Sequence, residues 1–262
     1  EGFVNALAHA GFQVLRFDHR DTGLSTHLVG LRAPDIRLSL LRRGLGLPIA
    51  APYGLMDMAR DAVGLLDAVG WDRAHVMGMS MGGMIAQTMA IEYPDRVRSL
   101  VSFASSAGDL LPLPRPRALG TLVRPPARTR EQAIETGMTF LRVCGSRGIE
   151  WDEEEARRVW GACWDRDPSH DPGGFVRQFT ALLAAGSRSK LLSRIRCPTL
   201  VLHGLEDPLL PPAAAMATAR AIPGAMLQLV PGLGHDLPRG AWSLLVEAVS
   251  RHARGADRRL AA

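Results

Sequence analysis

The residues Gly78-Met79-Ser80-Met81-Gly82 form a G-x-S-x-G motif between an apolar strand pattern and a helix pattern. In that context the serine lies on a tight turn from strand to helix, which exposes its hydroxyl above the end of a sheet. The helix that follows directs N–H groups and the positive end of its dipole toward an oxyanion, and Met81 N–H is the expected donor. A helix-capping serine in a glycine-rich turn is the alternative. The motif therefore favours Ser80 as the nucleophile of an acyl transfer.

A serine hydroxyl is a weak nucleophile and needs a general base, for which histidine is the usual residue. Eight histidines are present. His235 follows the last strand pattern, and loops after the carboxyl ends of parallel strands are where such sheets carry their sites. His203 ends the preceding strand and is expected to point into the fold or to order a loop. His75 begins a strand, at the wrong edge of the sheet. These positions favour His235 as the base.

The base in turn needs an acid that orients its ring. Asp207 follows the strand pattern at 199–203, and Pro208 next to it restricts the turn. Glu206 is the second candidate, because its longer side chain is harder to hold rigidly. A turn-forming role is the alternative for Asp207. The sequence thus predicts a catalytic set of Ser80, Asp207 and His235.

Strand and helix patterns alternate around these residues, which predicts an α/β fold with a parallel sheet flanked by helices. Helical periodicity is clear at 55–69, which Gly70 ends, and at 81–92, which stops before Pro94. Further helices are predicted at 1–10, 213–221 and 242–252. The predicted strands are 12–17, 74–79, 97–103, 199–203 and 226–230.

The alternation is interrupted at 109–192 by Pro-rich loops and helical patterns, of which 131–143 and 152–164 are the clearest. We interpret this stretch as a helical cap inserted between two parts of the core, 1–108 and 193–262. A cap joined in this way is expected to lie above Ser80 and to enclose a pocket.

Trp160 and Trp164 are four residues apart and share one face of a predicted cap helix. Together with Met79 they are candidates for the lining of a pocket that takes an aromatic or polycyclic substrate. The alternative, which is at least as well supported, is that the two tryptophans pack the cap onto the core.

Four stretches resemble the α/β-hydrolase family, and the resemblance extends over the whole chain. They are FDHRDTGLST (17–26), YGLMDMARDAVGLLDAVGWDRAHVMGMSMGGMIAQ (53–87), CPTLVLHGLEDPLLP (197–211) and PGLGHDLP (231–238). Within the family, the chain most resembles aclacinomycin methylesterases and related bacterial carboxylesterases. The resemblance implies that Ser80, Asp207 and His235 are nucleophile, acid and base, since the family has this chain order.

The resemblance also implies that three strands, and the loop that supplies a second oxyanion donor, would precede residue 1. The pattern at 12–17 corresponds to the fourth strand of the fold and 74–79 to the fifth, and the third strand lies between them. We therefore expect a truncated hydrolase with its first strands absent and weak activity or solubility. Either a strand-wide gap lies beside 74–79, or 12–17 packs directly against it.

Composition argues against several classes of protein. The net charge is +5, but all except one of the 31 basic residues are Arg, they are spread along the chain, and no nucleic-acid-binding motif is present. No run of 18 consecutive apolar residues predicts a membrane span. The three cysteines lack the spacing of a disulfide framework or a zinc site, and no signal peptide is visible. We expect a cytoplasmic protein without nucleic-acid or membrane partners.

The predicted function is hydrolysis of a small-molecule carboxylic ester through an acyl-enzyme, with a methyl ester of an aromatic or polycyclic compound as the candidate substrate. This chemistry needs no cofactor and no metal. The same triad serves perhydrolases, thioesterases and C–C bond hydrolases, and these alternatives stay open. An inactive hydrolase-fold binding protein is the non-enzyme alternative, against which the intact triad argues. The sequence does not predict an oligomeric state.

Overall fold

Four parallel strands form the centre of the protein, in a computed structural model that describes residues 2–260. Their order in the sheet is β1-β2-β3-β4, and each pairs in parallel with its neighbour. The strands are β1 (Ala74–Met79), β2 (Val97–Phe103), β3 (Thr199–Gly204) and β4 (Met226–Val230). Because all four run in one direction, their carboxyl ends meet at one edge. The arrangement confirms the predicted α/β class.

Helices fill the rest of the regular structure. They are α1 (Gly2–His9), α2 (Ile36–Gly44), α3 (Leu55–Ala68), α4 (Met81–Glu92), α5 (Pro116–Leu122), α6 (Arg130–Cys144), α7 (Glu153–Asp165), α8 (Pro172–Ala185), α9 (Pro212–Ala221) and α10 (Trp242–Leu260). The predicted helices at 55–69 and 81–92 are present as α3 and α4. The last helix is longer than predicted. Sequence patterns alone did not identify α2.

Two apolar clusters cover the two faces of the sheet. Leu100 packs with residues of α3 and α4, whereas Val101 and Phe103 pack with residues of α1 and α10. Since successive side chains of a strand point to opposite faces, β2 is buried from both sides. Six of its seven residues are accordingly buried, and these include the polar Ser99 and Ser102.

The strand predicted at 12–17 is wrong: this segment pairs with no strand among the described residues. One edge of β1 is consequently unpaired. A cavity of about 450 Å³ separates that edge from the segment, with Leu15 and Phe17 on one side and Val76 and Met77 on the other. An apolar run becomes a strand only where a neighbouring backbone accepts and donates its hydrogen bonds. Here a gap, and not direct packing, lies beside β1.

Four helices, α5 to α8, lie between β2 and β3 in the chain, in the stretch predicted as a cap. Three of them, α5 to α7, pack against one another through α6. The fourth differs, because Ala181 of α8 is fully buried in the same apolar cluster as α3 and α4. The packing of α8 therefore connects the end of the predicted cap to the core.

A buried ion pair fixes α8 to the segment before α2. The guanidinium of Arg177 donates to both carboxylate oxygens of Asp21, at 2.8 and 2.6 Å, and also to Asp171 at 2.5 Å. Tyr53 Oη donates to Asp21 at 2.8 Å. Arg177 and Asp21 are almost fully buried. The hydrogen bonds that the Arg177 guanidinium donates to Asp21 and Asp171 offset the free-energy cost of burying its charge.

Candidate active site

Ser80 occupies a sharp turn between β1 and α4. Its backbone has φ 54° and ψ −121°, a conformation that non-glycine residues rarely adopt and that costs on the order of 1–3 kcal/mol. The Ser80 N–H donates to Phe103 O at 2.9 Å. Its carbonyl oxygen accepts from Gly83 N at 3.0 Å, Met84 N at 3.2 Å and Ser105 Oγ at 2.8 Å. These bonds from β2 and α4 hold the strained residue in the turn that the motif predicts.

The glycines around Ser80 differ in how much space surrounds each Cα for a side chain. A Cβ on Gly78 would lie 2.0 Å from Gly82 O, and one on Gly83 would lie 2.5 Å from Ser105 Cβ. A Cβ on Gly82 would meet no atom within 4 Å. The close approach of helix and strand therefore depends on Gly78 and Gly83. The second glycine of the motif, Gly82, is not needed for packing.

Met81 is the first residue of α4, so its N–H has no carbonyl one turn earlier in the helix to bind. The helix dipole adds partial positive charge at this point. Met79 and Met81 both line the cavity that includes Ser80. This geometry makes Met81 N–H a candidate oxyanion donor, and the role of Met79 in a substrate pocket stays a prediction.

Asp207 and His235 form a buried pair. His235 Nδ1 donates to Asp207 Oδ2 at 2.6 Å, and Asp207 Oδ1 accepts from the N–H groups of Leu209 and Leu210, both at 2.8 Å. Three donors thus fix the carboxylate in one orientation. Glu206, the second candidate for the acid, is exposed. The structure therefore brings Asp207, and not Glu206, to the imidazole.

His203 lies behind this pair and is fully buried. Its Nε2 donates to Leu210 O at 2.7 Å and lies 3.5 Å from Asp207 Oδ2. Burial lowers the pKa of His203, which favours the neutral ring. The residue orders the loop that holds Asp207, as its position in the sequence suggested. His75 bonds Ser99 Oγ at the other edge of the sheet.

Ser80, Asp207 and His235 follow β1, β3 and β4, and so all three lie at the carboxyl edge of the sheet. Phe140 of α6 meets the His235 ring edge-on, with centroids 6.1 Å apart and planes at 76°. The cap thus reaches this same edge. Within residues 2–260 no hydrogen bond joins Ser80 Oγ to His235. The contact between nucleophile and base stays a prediction.

The two tryptophans predicted as pocket residues pack elsewhere. Trp160 covers Gly137 of α6, where an added Cβ would lie 2.1 Å from the indole. Trp164 stacks on His170, with ring centroids 4.2 Å apart and planes at 13°. Neither belongs to the lining of the cavity at Ser80 that residues 2–260 define. Both contacts lie within 109–192, whereas the packing alternative placed the two tryptophans between cap and core.

Three residues at the site were not singled out as site residues from the sequence: Phe140, Ser146 and Asp236. Phe140 falls within the helix predicted at 131–143. Ser146 carries no local pattern. Asp236 follows His235 directly, and this adjacency is the one signal that the sequence offered. Ser146 and Asp236 bond each other across the junction of cap and core.

Among residues 2–260, no three His, Cys, Asp or Glu side chains are grouped so as to hold a metal ion. None of the helices in that range combines the length and the apolar character required to span a bilayer.

Comparison with known proteins gives consistent matches. The profile of the family described as alpha/beta hydrolase fold matches residues 1–238. Rhodomycin D methylesterase DnrP of Streptomyces peucetius is 31% identical over 97% of this chain and 85% of its own length. A 2-hydroxy-6-oxo-6-phenylhexa-2,4-dienoate hydrolase of Comamonas testosteroni is 31% identical over 70% of this chain and 63% of its own. The structure of a thermophilic esterase from Thermogutta terrifontis has a TM-score of 0.59 at 25% identity, covering 80% of this chain and 75% of the esterase.

Proposed function

The chain belongs to the α/β-hydrolase family, and from that premise we propose that it is a serine hydrolase of carboxylic esters. The observation that carries the proposal is the 2.6 Å bond from His235 Nδ1 to the buried Asp207, at the sheet edge where Ser80 occupies its strained turn. This bond fixes the proton on Nδ1 and leaves Nε2 free to accept one. A base so oriented is what a serine nucleophile requires.

The proposed reaction has two steps. Ser80 Oγ attacks the ester carbonyl carbon while His235 Nε2 takes the hydroxyl proton, and Met81 N–H stabilises the oxyanion. The proton then passes from His235 to the departing alcohol, which leaves an acyl-enzyme on Ser80. A water molecule, deprotonated by His235, attacks the acyl group and releases the acid. Asp207 stabilises the imidazolium in both steps without itself taking the proton.

For the substrate we propose a small-molecule methyl ester, which the match to a methylesterase supports. Ser80 opens onto the gap beside β1, next to Met79 and Met81, and no residue of the stretch predicted as a cap lines that cavity within residues 2–260. An aromatic or polycyclic acid portion was inferred from Trp160 and Trp164, which pack within the cap. We therefore propose the methyl ester bond as the point of cleavage and no particular acid portion.

Cleavage of a C–C bond is the second candidate, because a relative named as a dienoate hydrolase covers most of the chain at 31% identity. The same serine, histidine and aspartate would serve that reaction. Turnover of a vinylogous 1,5-diketone, compared with that of an ester at equal concentration, separates the two candidates.

The test is hydrolysis of p-nitrophenyl esters and of aromatic methyl esters by the purified protein and by Ser80→Ala. We expect a burst of p-nitrophenol equal to the protein concentration, as an acyl-enzyme accumulates. Ser80→Ala should lower turnover by several orders of magnitude with an unchanged melting temperature. Equal turnover by the wild type and Ser80→Ala would sink the proposal.

A further inference from the structure

The cap contacts the loop that carries His235 through the three residues that end α6 and follow it, Cys144, Gly145 and Ser146. The backbone N–H of His235 donates to Cys144 O at 2.6 Å. The backbone N–H of Gly234 donates to Ser146 Oγ at 3.0 Å. We call these three residues the 144–146 segment. It bonds the backbone of the proposed base and of the residue before it.

Ser146 also binds the residue after His235. Ser146 Oγ donates to Asp236 Oδ1 at 2.6 Å, and Ser146 N donates to the same oxygen at 3.0 Å. Both residues are buried, and burial raises the pKa of the Asp236 carboxyl. One hydroxyl therefore accepts from Gly234 and donates to Asp236. It connects the two neighbours of His235 and satisfies polar groups that burial would otherwise leave without partners.

The two backbones meet too closely for any adjustable side chain to lie between them. A Cβ on Gly234 would lie 2.4 Å from the carbonyl carbon of Gly145. A Cβ on Gly148 would lie 2.7 Å from the Cα of Gly232, and the backbone N–H of Gly148 donates to Gly232 O at 3.2 Å. The junction is thus largely backbone against backbone, and the Ser146 hydroxyl and the Asp236 carboxylate are polar side-chain groups that bridge it.

We propose that Ser146 is a positioning residue for His235, holding the loop of the base against the cap. The proposal rests on the proposed function, in which His235 is the base. The ring of His235 is fixed from the core by Asp207 and from the cap by Phe140. Ser146 fixes the backbone on both sides of the ring. Loss of its hydroxyl should therefore displace the imidazole from Ser80 while the substrate site stays in place.

The kinetic test compares Ser146→Ala with the control Thr139→Ala. Thr139 is on α6, the helix that precedes Ser146, and its hydroxyl donates to Glu135 O one turn earlier at 2.8 Å. Since a misplacement of about 1 Å can lower a rate by about 100-fold, we expect Ser146→Ala to lower kcat for a p-nitrophenyl ester by roughly 10- to 100-fold. KM should change by less than about twofold, because uniform binding is retained. Thr139→Ala should match the wild type.

A second pair of variants tests the same contact from the loop. Asp236→Asn keeps an oxygen that can accept from Ser146, whereas Asp236→Leu has a similar shape and no acceptor. We expect Asp236→Leu to lose kcat as Ser146→Ala does, and Asp236→Asn to retain activity within about threefold of the wild type. This rescue by the conservative variant distinguishes positioning from a requirement for bulk. It also keeps the test decisive if Ser146→Ala does not fold.

A proton NMR measurement needs no turnover. The Nδ1 proton of His235 lies in a short bond to a carboxylate and should resonate far downfield. It is assigned by its disappearance in His235→Gln. We expect the signal to shift or broaden in Ser146→Ala and in Asp236→Leu, and to be retained in Thr139→Ala and Asp236→Asn.

The two proposals fail separately. If the wild type hydrolyses no ester, the proposed function fails, and the NMR signal still decides whether Ser146 positions His235. If folded Ser146→Ala and Asp236→Leu keep both the wild-type kcat and the wild-type signal, the positioning role is wrong. A tenfold rise in KM at constant kcat would also overturn it, because Ser146 would then act on substrate binding.

Discussion

Ser80 keeps its strained backbone because its neighbours leave no room to relax. Gly78 and Gly83 allow α4 to approach β1 to within backbone contact, and Ser105 donates to the Ser80 carbonyl from the end of β2. The strain arises because serine carries a Cβ at positive φ, and the small residues around it hold the backbone in that conformation.

The two glycines after Met81 give a matched pair of variants. Gly83→Ala should destabilise the protein by roughly 1–3 kcal/mol, because the new Cβ would overlap Ser105 and overpack the turn. Gly82→Ala meets no atom and should be neutral or more stable by about 1 kcal/mol, since alanine favours a helix. Urea unfolding of both variants checks this. Equal losses of free energy would show that the turn is not packed as described.

Asp207 and Glu206 are adjacent, but only the first is buried against His235. Asp207→Asn should lower kcat by about 10⁴-fold, the loss found when the corresponding acid of a serine protease was changed to asparagine. Glu206→Gln changes the neighbouring exposed acid and should leave kcat unchanged. Ester hydrolysis by the two variants measures this. A larger loss in Glu206→Gln would mean that the acid had been assigned to the wrong residue.

At the scale of the elements, α8 has a dual position. It ends the stretch predicted as a cap, yet Ala181 packs with α3 and α4, and Arg177 binds Asp21 of the segment before α2. The part of the cap that contacts His235 is α6, through Phe140 and the 144–146 segment. The stretch predicted as a cap is thus attached to the core through several elements, among them α6 and α8.

Arg177 and Arg130 allow the attachment of α8 to be tested. Arg177→Met should lower the free energy of unfolding by about 3–5 kcal/mol, because it leaves Asp21 buried without its cation. Arg130 pairs with Asp165 on an exposed surface, where water screens the charges, so Arg130→Met should not change the melting temperature measurably. Thermal unfolding of both variants gives the answer. An equally small effect of Arg177→Met would show that the buried pair does not hold α8.

For the whole molecule, burial makes stability depend on pH. Burial lowers the pKa of His19, His75, His203 and His252. In the unfolded chain these groups bind protons near pH 6.5. Below that pH the unfolded state holds more protons than the folded state, so stability falls as the pH falls. Burial raises the pKa of Asp236, so at lower pH the folded state binds this proton first, and this group adds stability as the pH falls.

We expect the free energy of unfolding to fall between pH 7.5 and pH 5.5, by up to about 1.4 kcal/mol per pH unit for each histidine that stays neutral in the fold. His252→Gln should reduce this slope, because it removes one of the buried rings that take up a proton on unfolding. The glutamine amide can still donate to Pro198 O, as Nε2 does, so the fold is retained. His9→Gln, on an exposed part of α1, is the control and should keep the wild-type slope. Urea titrations at the two pH values decide it, and a flat profile for the wild type would contradict the prediction.

The sequence by itself determined the features that local patterns encode. The strand-turn-helix around Ser80 follows from glycine spacing and apolar periodicity. The pairing of Asp207 with His235 follows because the ends of parallel strands share an edge. The choice of Asp207 over Glu206 rested on side-chain length, and the structure has the same partner.

Only the tertiary structure decided what depends on a distant neighbour. The segment 12–17 has the residues of a strand, but whether it pairs depends on the backbone beside it. Trp160 and Trp164 share a helix face, but the sequence does not say which residues that face meets. In the structure Trp160 meets Gly137, and Trp164 stacks on His170. Ser146 and Asp236 are 90 positions apart, so no local pattern relates them. Such contacts form only when separate elements close on one another, and their geometry is a property of the assembled fold.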